Sequence, residues 1–248
     1  MKRVLSLVLA AALLACMAGA LAEEPMKTPQ ELFEMDPNPD VPLTCDPYID
    51  PTLLLVNKEY PIPHDYEPEL TVLKLHHKRK NGQEKMRPDA AEALTRLFAA
   101  AKADGIELGV VSGYRSYITQ KLIHQQKVAK KGRASAELTS APPGKSEHQL
   151  GLAVDVSCAS INYRLNAIFG NTPEGQWVEA HCAEYGFIIR YRSEWLKITG
   201  YKAEPWHIRY VGPEHARLAM ELNVPYEYYI AYLKLCWDAR NHLPATGI

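Results

Sequence analysis

The positions of apolar and polar residues along the chain predict a group of helices followed by a group of strands. Apolar residues recur with the spacing of one helix face in residues 87–105 and 116–132, and each segment closes at a glycine. Short apolar runs predict buried strands at 106–113, 150–157, 187–192 and 207–212. Helices that mostly precede strands favour an α+β fold with a central antiparallel sheet and flanking helices.

The segments between these elements are interpreted from turn residues. Residues 53–70 are predicted to form a short strand and then a loop interrupted by prolines, and residues 133–149 a second loop. A third helix is predicted over 171–186. The tail from Pro213 to Trp237 is predicted to hold two short helices, the second of which begins near Pro225.

Residues 1–22 have the composition of a signal peptide. Lys2 and Arg3 precede an almost wholly apolar run that ends in Ala-Leu-Ala before two glutamates. An uncleaved membrane anchor and lipidation at Cys16 are the alternatives. In each case we expect the body of the protein to be exported, whether secreted, periplasmic or held at the cell surface. No later segment is long and apolar enough to span a membrane.

The rest of the chain has the length of one domain. Residues 23–50 are rich in Pro, Asp and Glu and are predicted to form an extended leader, with the domain itself over 51–240. The formal net charge of -1, with both signs mixed along the chain, argues against a nucleic-acid partner. We expect the domain to be a monomer.

Four cysteines would remain after removal of a signal peptide. An even number in an exported protein favours disulfides, and the preferred pairs are Cys158–Cys182 and Cys45–Cys236. Buried free thiols are the alternative. A zinc site made of cysteines is not expected, because the sequence has no pair of cysteines separated by two residues.

Two short segments carry the residue types of a zinc hydrolase. His148 and Asp155 lie in the first segment, and Glu204 and His207 lie in the second. Two imidazoles and a carboxylate can hold a zinc ion and leave its fourth position open. A further carboxylate next to that position can accept a proton from water.

The spacing of these residues constrains the backbone that carries them. His148 and Asp155 are seven positions apart, so on one uninterrupted strand their side chains would face opposite sides. Either a turn at Gly151 intervenes, or His148 lies on the loop before the strand. The second pair flanks Pro205, which predicts a turn that enters a strand and presents both side chains to one cavity.

The other histidines are interpreted as structural or solvated. Those expected in the core or on the surface are His64, His76, His77, His181 and His242. His124 is expected to be solvated in the middle of its helix, and His215 to be structural at the start of another helix. Asp155 differs from these, because it follows apolar residues in a strand, where a charge is costly unless it is paired or bound to a metal.

Four segments have a distinctive sequence. They are SGYRS at 112–116, SEHQLGLAVDVS at 146–157, GFIIRY at 186–191 and ITGYKAEPWHIRYVG at 198–212. They resemble the VanY-type zinc D-alanyl-D-alanine carboxypeptidases, over about Leu53 to Pro213 of this chain. The resemblance implies the fold that this family shares with VanX-type dipeptidases and the amino-terminal domain of hedgehog proteins. The chain departs from the family pattern at residues 192–196, which bears on its fine specificity.

The resemblance also implies roles for individual residues. His148, Asp155 and His207 are implied as zinc ligands, and Glu204 as the general base. Arg115 is implied to contact either the transition state or the terminal carboxylate of the substrate, and the sequence does not separate these two tasks. Further substrate contacts are implied at Gln120, Ser146 and Tyr191, with a core or turn role as the alternative for each.

The function implied is removal of the terminal D-alanine from peptidoglycan stem peptides, which end in D-Ala-D-Ala, or from their precursors. An L,D-carboxypeptidase and a D-Ala-D-Ala dipeptidase are the alternatives on the same fold. Two other classes are a hedgehog-like module that binds zinc without turnover and a peptidoglycan-binding protein without a metal. Glu204 and Arg115 argue against the first of these, because a module without turnover needs neither.

Overall fold

The fold is taken from a computed structural model that describes residues 25–42, 47, 49–77 and 84–242. The predicted signal peptide and Cys45 lie outside the described residues. The strands are β1 (Thr71–Val72), β2 (Lys85–Met86), β3 (Gly109–Ser112), β4 (Ala153–Ser157), β5 (Phe187–Ile189) and β6 (His207–Tyr210). The helices are α1 (Pro29–Met35), α2 (Pro88–Ala103), α3 (Tyr117–Lys131), α4 (Arg133–Glu137), α5 (Pro173–His181), α6 (Leu196–Thr199), α7 (Pro213–Leu222) and α8 (Tyr226–His242).

A four-stranded antiparallel sheet in the order β3-β4-β6-β5 forms the centre of the fold. All five residues of β4 are buried, which agrees with the unbroken apolar run from which this strand was predicted. The register places Asp155 of β4 opposite His207 of β6, and Ser112 at the end of β3 opposite Asp155. The predicted α+β fold with a central antiparallel sheet is therefore confirmed, and its register brings two candidate ligands together.

The first hydrophobic core lies between this sheet and α2. The helix begins at Pro88, whose missing N–H costs nothing in the first turn, and it buries an Ala/Leu face that includes Leu94 and Leu97. Its chain direction reverses after Gly105, which adopts a φ of +79°. The predictions of α2, α3 and α5 from helical periodicity are confirmed in their central turns.

The second hydrophobic core lies between α1, α7 and α8, and it corrects two predictions. The leader over 23–50 is not simply extended, because Thr28 and Glu31 cap α1 reciprocally and Leu32 of this helix is buried against α8. The Tyr232 hydroxyl of α8 also donates to the Asp36 carbonyl, at 2.8 Å. The second tail helix is not short, since α8 runs for 17 residues.

Two other segments differ from their predictions. Residues 53–56 form no strand, because the carbonyls of Thr52 and Leu54 accept hydrogen bonds from the Arg209 guanidinium at 2.9 and 3.0 Å rather than from a neighbouring strand. The predicted loop over 133–149 contains α4 and a one-turn 3-10 helix at Glu147–Leu150.

The cysteines in the described residues are buried free thiols. The predicted Cys158–Cys182 disulfide is wrong, because the Cys158 Sγ contacts the hydroxyls of Ser160 and Thr172, at 3.2 and 3.8 Å. Burial raises the pKa of the Cys182 thiol to about 12, which leaves it unreactive at neutral pH. Cys236 forms no disulfide with a described residue, and Cys45, its predicted partner, lies outside them.

The other structural predictions have mixed outcomes. His124 is not solvated but buried on the inner side of α3, with 6% of its surface exposed. His215 is structural as predicted, since its Nδ1 lies 2.8 Å from the Tyr229 hydroxyl in the second core. None of the helices in the described part of the chain is both long enough and apolar enough to cross a membrane.

Gly109 at the start of β3 is expected to resist even a methyl group. A Cβ at this position would lie 2.5 Å from Cε1 of Tyr163 and 3.0 Å from Cδ2 of His76. The Tyr163 ring packs against the His76 ring, with their centroids 5.4 Å apart, so neither ring can move aside without disturbing the other. We therefore expect Gly109→Ala to destabilise the protein by about 1–3 kcal/mol, measured by thermal or urea unfolding.

The control for this prediction is Gly109→Ala in a protein that lacks the Tyr163 ring. When it is combined with Tyr163→Ala, the Gly109→Ala substitution should lower the free energy of unfolding clearly less than it does alone. A Gly109→Ala protein as stable as the parent would show that the close approach of Tyr163 is absent in solution.

Candidate metal centre

Three short pieces of backbone carry the candidate ligands. His148 lies in the 3-10 helix Glu147–Leu150, and Gly151 then reverses the chain into β4 with a φ of +71°. Both arrangements predicted from the spacing are therefore present, since His148 precedes the strand and a turn at Gly151 separates it from β4. Asp155 lies in β4, and His207 opens β6 directly opposite it.

The ligand atoms of these three residues converge. One ligand atom from each of His148, Asp155 and His207 lies within 4.8 Å of the others, and all three residues are buried. His148 Nε2 is 3.3 Å from Asp155 Oδ1, and His207 Nδ1 is 3.2 Å from the same oxygen. Two imidazole nitrogens and a carboxylate oxygen in this arrangement are a donor set that zinc prefers.

The opposite nitrogen of each imidazole already has a partner. His148 Nδ1 lies 2.6 Å from the Gly113 carbonyl, and His207 Nε2 lies 3.2 Å from the Glu147 carboxylate. Donation at these atoms leaves His148 Nε2 and His207 Nδ1 with lone pairs directed at the cluster. His148 Nε2 is buried and makes no hydrogen bond of good geometry with a described residue. This orphaned atom, together with the donor set, fits a bound metal ion.

The charges around the cluster favour a cation at its centre. Burial raises the pKa of Asp155, but the neighbouring His148, His207 and Arg115 outweigh it, so that the pKa lies well below its usual value. Burial lowers the pKa of His148 to about 4, and the Arg115 charge adds to this effect. Burial also lowers the pKa of His207, but Asp155 and Glu147 raise it to about 9. The two carboxylates thus stabilise positive charge beside His207, which a metal ion also supplies.

Arg115 is anchored beside the cluster. Its Nη2 donates to Asp155 Oδ2 at 3.3 Å and its Nη1 donates to Gln120 Oε1 at 2.7 Å. The Gln120 amide is in turn fixed by donation to the Ala141 carbonyl at 2.6 Å. Both polar ends of Gln120 are therefore committed, and it positions Arg115. The Arg115 Nε is buried and has no hydrogen-bond partner among the described residues.

Glu204 lies on the turn before β6. Its backbone N–H donates to the Tyr191 carbonyl and its carbonyl accepts from the His207 N–H, both at 3.0 Å. Burial raises the pKa of the Glu204 carboxyl to about 7, although the charge of His207 acts in the opposite direction. A carboxyl with this pKa can both accept and release a proton near neutral pH.

All eight candidate residues line one cavity, which has a volume of about 1110 Å³. The Tyr191 ring is buried beside the ring of His207, with their centroids 5.1 Å apart. Ser146 is buried and makes no capping hydrogen bond, so its hydroxyl is not used to close the turn. The eight residues are Arg115, Gln120, Ser146, His148, Asp155, Tyr191, Glu204 and His207.

Sequence reasoning missed two further groups that line the cavity. Glu147 stands next to a predicted ligand, and its carboxylate contacts His207 and two buried arginines. Lys127 lies two turns beyond Gln120 on the same face of α3 and donates to the Thr139 carbonyl at 2.8 Å. The spacing of Lys127 from Gln120 could have identified it, whereas only the three-dimensional fold reveals the partners of Glu147.

A His–Asp–His cluster beside a buried glutamate, with two of its members on the central strands of an antiparallel sheet, is typical of metal-dependent hydrolases. Residues 83–213 match the sequence model of the family described as VanY, D-alanyl-D-alanine carboxypeptidase. The match covers more than half of the chain and contains all eight candidate residues, so the chain belongs to the VanY family.

Curated proteins of two bacteria resemble this chain. "Putative carboxypeptidase YodJ" of Bacillus subtilis is 44% identical over 185 residues, which are 73% of this chain and 68% of that protein. A D-alanyl-D-alanine carboxypeptidase of Enterococcus faecalis is 40% identical over 174 residues, which are 66% of this chain and 60% of that protein. The chain thus spans between three fifths and about two thirds of these relatives.

Solved structures are also similar to this fold. The LD-carboxypeptidase LdcB matches with a TM-score of 0.68 and 44% identity, over 72% of this chain and 85% of that one. A mutant of the vancomycin resistance D,D-pentapeptidase VanY, in complex with Zn(II), matches with a TM-score of 0.63 and 36% identity. That match covers 73% of this chain and 99% of the VanY chain. The predicted resemblance to VanY-type enzymes is confirmed.

Proposed function

We propose that this protein is a zinc-dependent D,D-carboxypeptidase that removes the terminal D-alanine from peptidoglycan stem peptides or their precursors. The observation that carries this proposal is a single cavity that joins the His148–Asp155–His207 cluster to Glu204 and Arg115. The Zn(II) complex of the related VanY supports zinc as the metal. When bound, zinc polarises the peptide carbonyl and increases the acidity of water.

Glu204 is the proton-transfer residue in this proposal. Its carboxylate accepts a proton from the water that attacks the last peptide carbonyl, and then delivers that proton to the leaving amine. Its pKa of about 7, which burial raises, suits both steps at neutral pH. Its place on the turn before β6, anchored through both backbone groups, keeps the carboxylate next to the ligand cluster.

Arg115 stabilises the negative charge that develops on the attacked carbonyl oxygen. Its guanidinium is held against the ligand Asp155, and its Nε is the buried donor that still lacks a partner among the described residues. A preorganised buried donor of this kind stabilises an oxyanion more strongly than water does. This position favours the transition-state role over capture of the terminal carboxylate, the two tasks that the sequence left open.

The charge of the cavity suits an anionic peptide. Lys127, Lys131 and Lys202 line it, and no described carboxylate forms an ion pair with any of them. A carboxypeptidase substrate always carries a terminal carboxylate, which these cations attract. Tyr191 and Ser146 complete the binding surface with a ring and a free hydroxyl.

We also propose that the protein is exported, on the grounds of its N-terminal sequence.

One observation favours a second candidate function. The LD-carboxypeptidase LdcB has a higher TM-score and a higher identity to this chain than the VanY structure, 0.68 and 44% against 0.63 and 36%. An L,D-carboxypeptidase would use the same metal, base and arginine on a peptide bond between an L- and a D-residue. The ligand cluster does not distinguish these two bonds, so the shape of the cavity beyond it decides the specificity.

The test is hydrolysis of matched peptides by the mature protein. We expect a stem pentapeptide ending in D-Ala-D-Ala to lose one alanine in mass spectrometry, with loss of activity after chelation and recovery with zinc. Cleavage of a tetrapeptide that ends in one D-alanine, with the pentapeptide intact, would instead establish the L,D-carboxypeptidase. No cleavage of either peptide by the zinc-loaded protein would reject both.

A further inference from the structure

A group of four buried charges lies behind the ligand His207. Glu147, Arg190 and Arg209 have fully buried side chains, and the Glu227 side chain is 12% exposed. Arg190 Nε donates to Glu147 Oε1 at 2.8 Å, and Arg209 Nη1 donates to the same oxygen at 3.1 Å. The other oxygen of Glu147 lies 3.2 Å from His207 Nε2. Glu147 is therefore fully engaged by two guanidiniums and one imidazole.

Glu227 in α8 fixes the outer side of this network. Its two carboxylate oxygens accept from Nη1 and Nη2 of Arg190, at 3.0 and 2.7 Å. This is the two-pronged geometry in which arginine binds a carboxylate most strongly. The Arg190 guanidinium also stacks over the rings of Tyr191 and Tyr226, at 4.7 and 5.5 Å from their centroids. The orientation of Arg190 is thus set from α8.

The charges within the network balance. Two carboxylates face two guanidiniums, which leaves Glu147 Oε2 to accept a hydrogen bond from His207 Nε2, 3.2 Å away. The remaining donors of Arg209 are satisfied by backbone carbonyls, including those of Thr52 and Leu54. Removal of one member would leave an uncompensated buried charge, which is far more costly than loss of a surface pair.

We infer that Glu227, acting through Arg190 and Glu147, holds His207 in the orientation and tautomer that bind the metal. Glu227 lies outside residues 83–213, which match the family sequence model. The C-terminal helix α8 is therefore a working part of the metal centre. Glu147 and Glu227 are positioning residues, because neither belongs to the ligand cluster and each acts through another side chain.

A carboxylate at the far nitrogen of a ligating imidazole has a known physical effect. It selects the tautomer whose other nitrogen faces the metal, fixes the ring and makes that nitrogen a stronger donor, and its loss typically weakens metal binding about 10–100-fold. Arg190 and Arg209 hold the Glu147 carboxylate in place for this task, since both donate to its Oε1, at 2.8 and 3.1 Å. Loss of Glu227 would let Arg190 shift and draw Glu147 away from His207.

The test measures metal binding rather than turnover, and this inference rests on the metal in the proposed function. We expect Glu147→Gln to raise the zinc dissociation constant about 10–100-fold and Glu227→Gln about 10-fold, in competition with a chromophoric chelator. The visible absorption bands of the cobalt(II)-substituted protein should shift in both variants. The double variant should bind zinc about as weakly as Glu147→Gln alone, because both residues act along one route.

Matched variants separate this role from general stability. Glu221→Gln removes an exposed partner of Arg217 on α7, and it should leave zinc affinity and the cobalt spectrum unchanged. Arg190→Lys keeps the charge but loses the two-pronged geometry, so it tests the same route if Glu227→Gln does not fold. Unchanged zinc affinity in Glu227→Gln and Arg190→Lys would overturn this inference and leave the proposed function intact. Failure of the parent protein to bind zinc would overturn the proposed function as well.

Discussion

Replacement of Glu204 by glutamine should lower kcat on a D-Ala-D-Ala peptide by about 10²–10⁴-fold, while zinc binding persists. This range is the usual contribution of a positioned proton-transfer group. Glutamine keeps the shape and the hydrogen-bonding capacity of the side chain but cannot accept the proton from water. The measurement is steady-state hydrolysis by the zinc-loaded variant, with metal content determined on the same sample. Activity within a few-fold of the parent would remove Glu204 from the mechanism.

The control for this variant is its stability as a function of pH. Burial raises the pKa of the Glu204 carboxyl from 4.5 to about 7, so ionisation destabilises the folded protein progressively as the pH rises between these values. The metal-free Glu204→Gln protein should therefore melt a few degrees higher than the parent at pH 8, with little difference at pH 5. A lower melting temperature at pH 8 would point to a damaged fold as the cause of lost activity.

Removal of the metal or of one ligand should abolish hydrolysis. We expect the dialysed, chelator-treated protein to be inactive and to regain activity on addition of zinc. The substitution His148→Ala should prevent this recovery, because it deletes the buried Nε2, which has no hydrogen-bond partner of good geometry among the residues that the structure describes. Its loss of zinc affinity should exceed the roughly 10–100-fold typical of outer partners. Metal content after dialysis and peptide hydrolysis together provide the measurement.

A surface histidine provides the matched control for the ligand variant. His181 at the end of α5 pairs with Glu184 on the exposed surface, 2.8 Å away. His181→Ala should retain both the metal and the activity. Full activity of His148→Ala, or of the chelated protein without added zinc, would contradict a metal-dependent mechanism.

The candidate site could be located from the sequence because each part of it is local. His148 and Asp155 share one motif, and Glu204 and His207 share another, so only the convergence of two segments had to be inferred. The constraint from their spacing was also sufficient to predict a break before the strand, and Gly151 supplies it. The resemblance to the family then identified Arg115 as a candidate site residue, and the structure places its guanidinium beside Asp155.

The parts that escaped prediction depend on partners that are distant in sequence. Glu147 was passed over because its arginine partners lie 43 and 62 residues away. His124 looked solvated because its helix carries many polar residues, yet it lies on the buried side. The helix α1 was missed because a short proline- and acid-rich segment gives little periodicity, and contacts with α8 stabilise it instead. The disulfides were predicted from the even number of cysteines and from their separation along the chain, and neither contains the distances that a disulfide requires.

The packing of α1 on α8 has a consequence for recombination between members of the family. A chimera that exchanged only residues 83–213 would inherit every candidate ligand, the proposed base and Arg115, yet it would combine them with a foreign α8 and a foreign leader. Arg190 and Arg209 lie within the exchanged part, whereas Glu227 and the carbonyls of residues 52 and 54 lie outside it. Where the foreign α8 lacks a carboxylate at position 227, such a hybrid would leave Arg190 without its partner behind His207, and function should then require the two ends of the chain to move together with the centre.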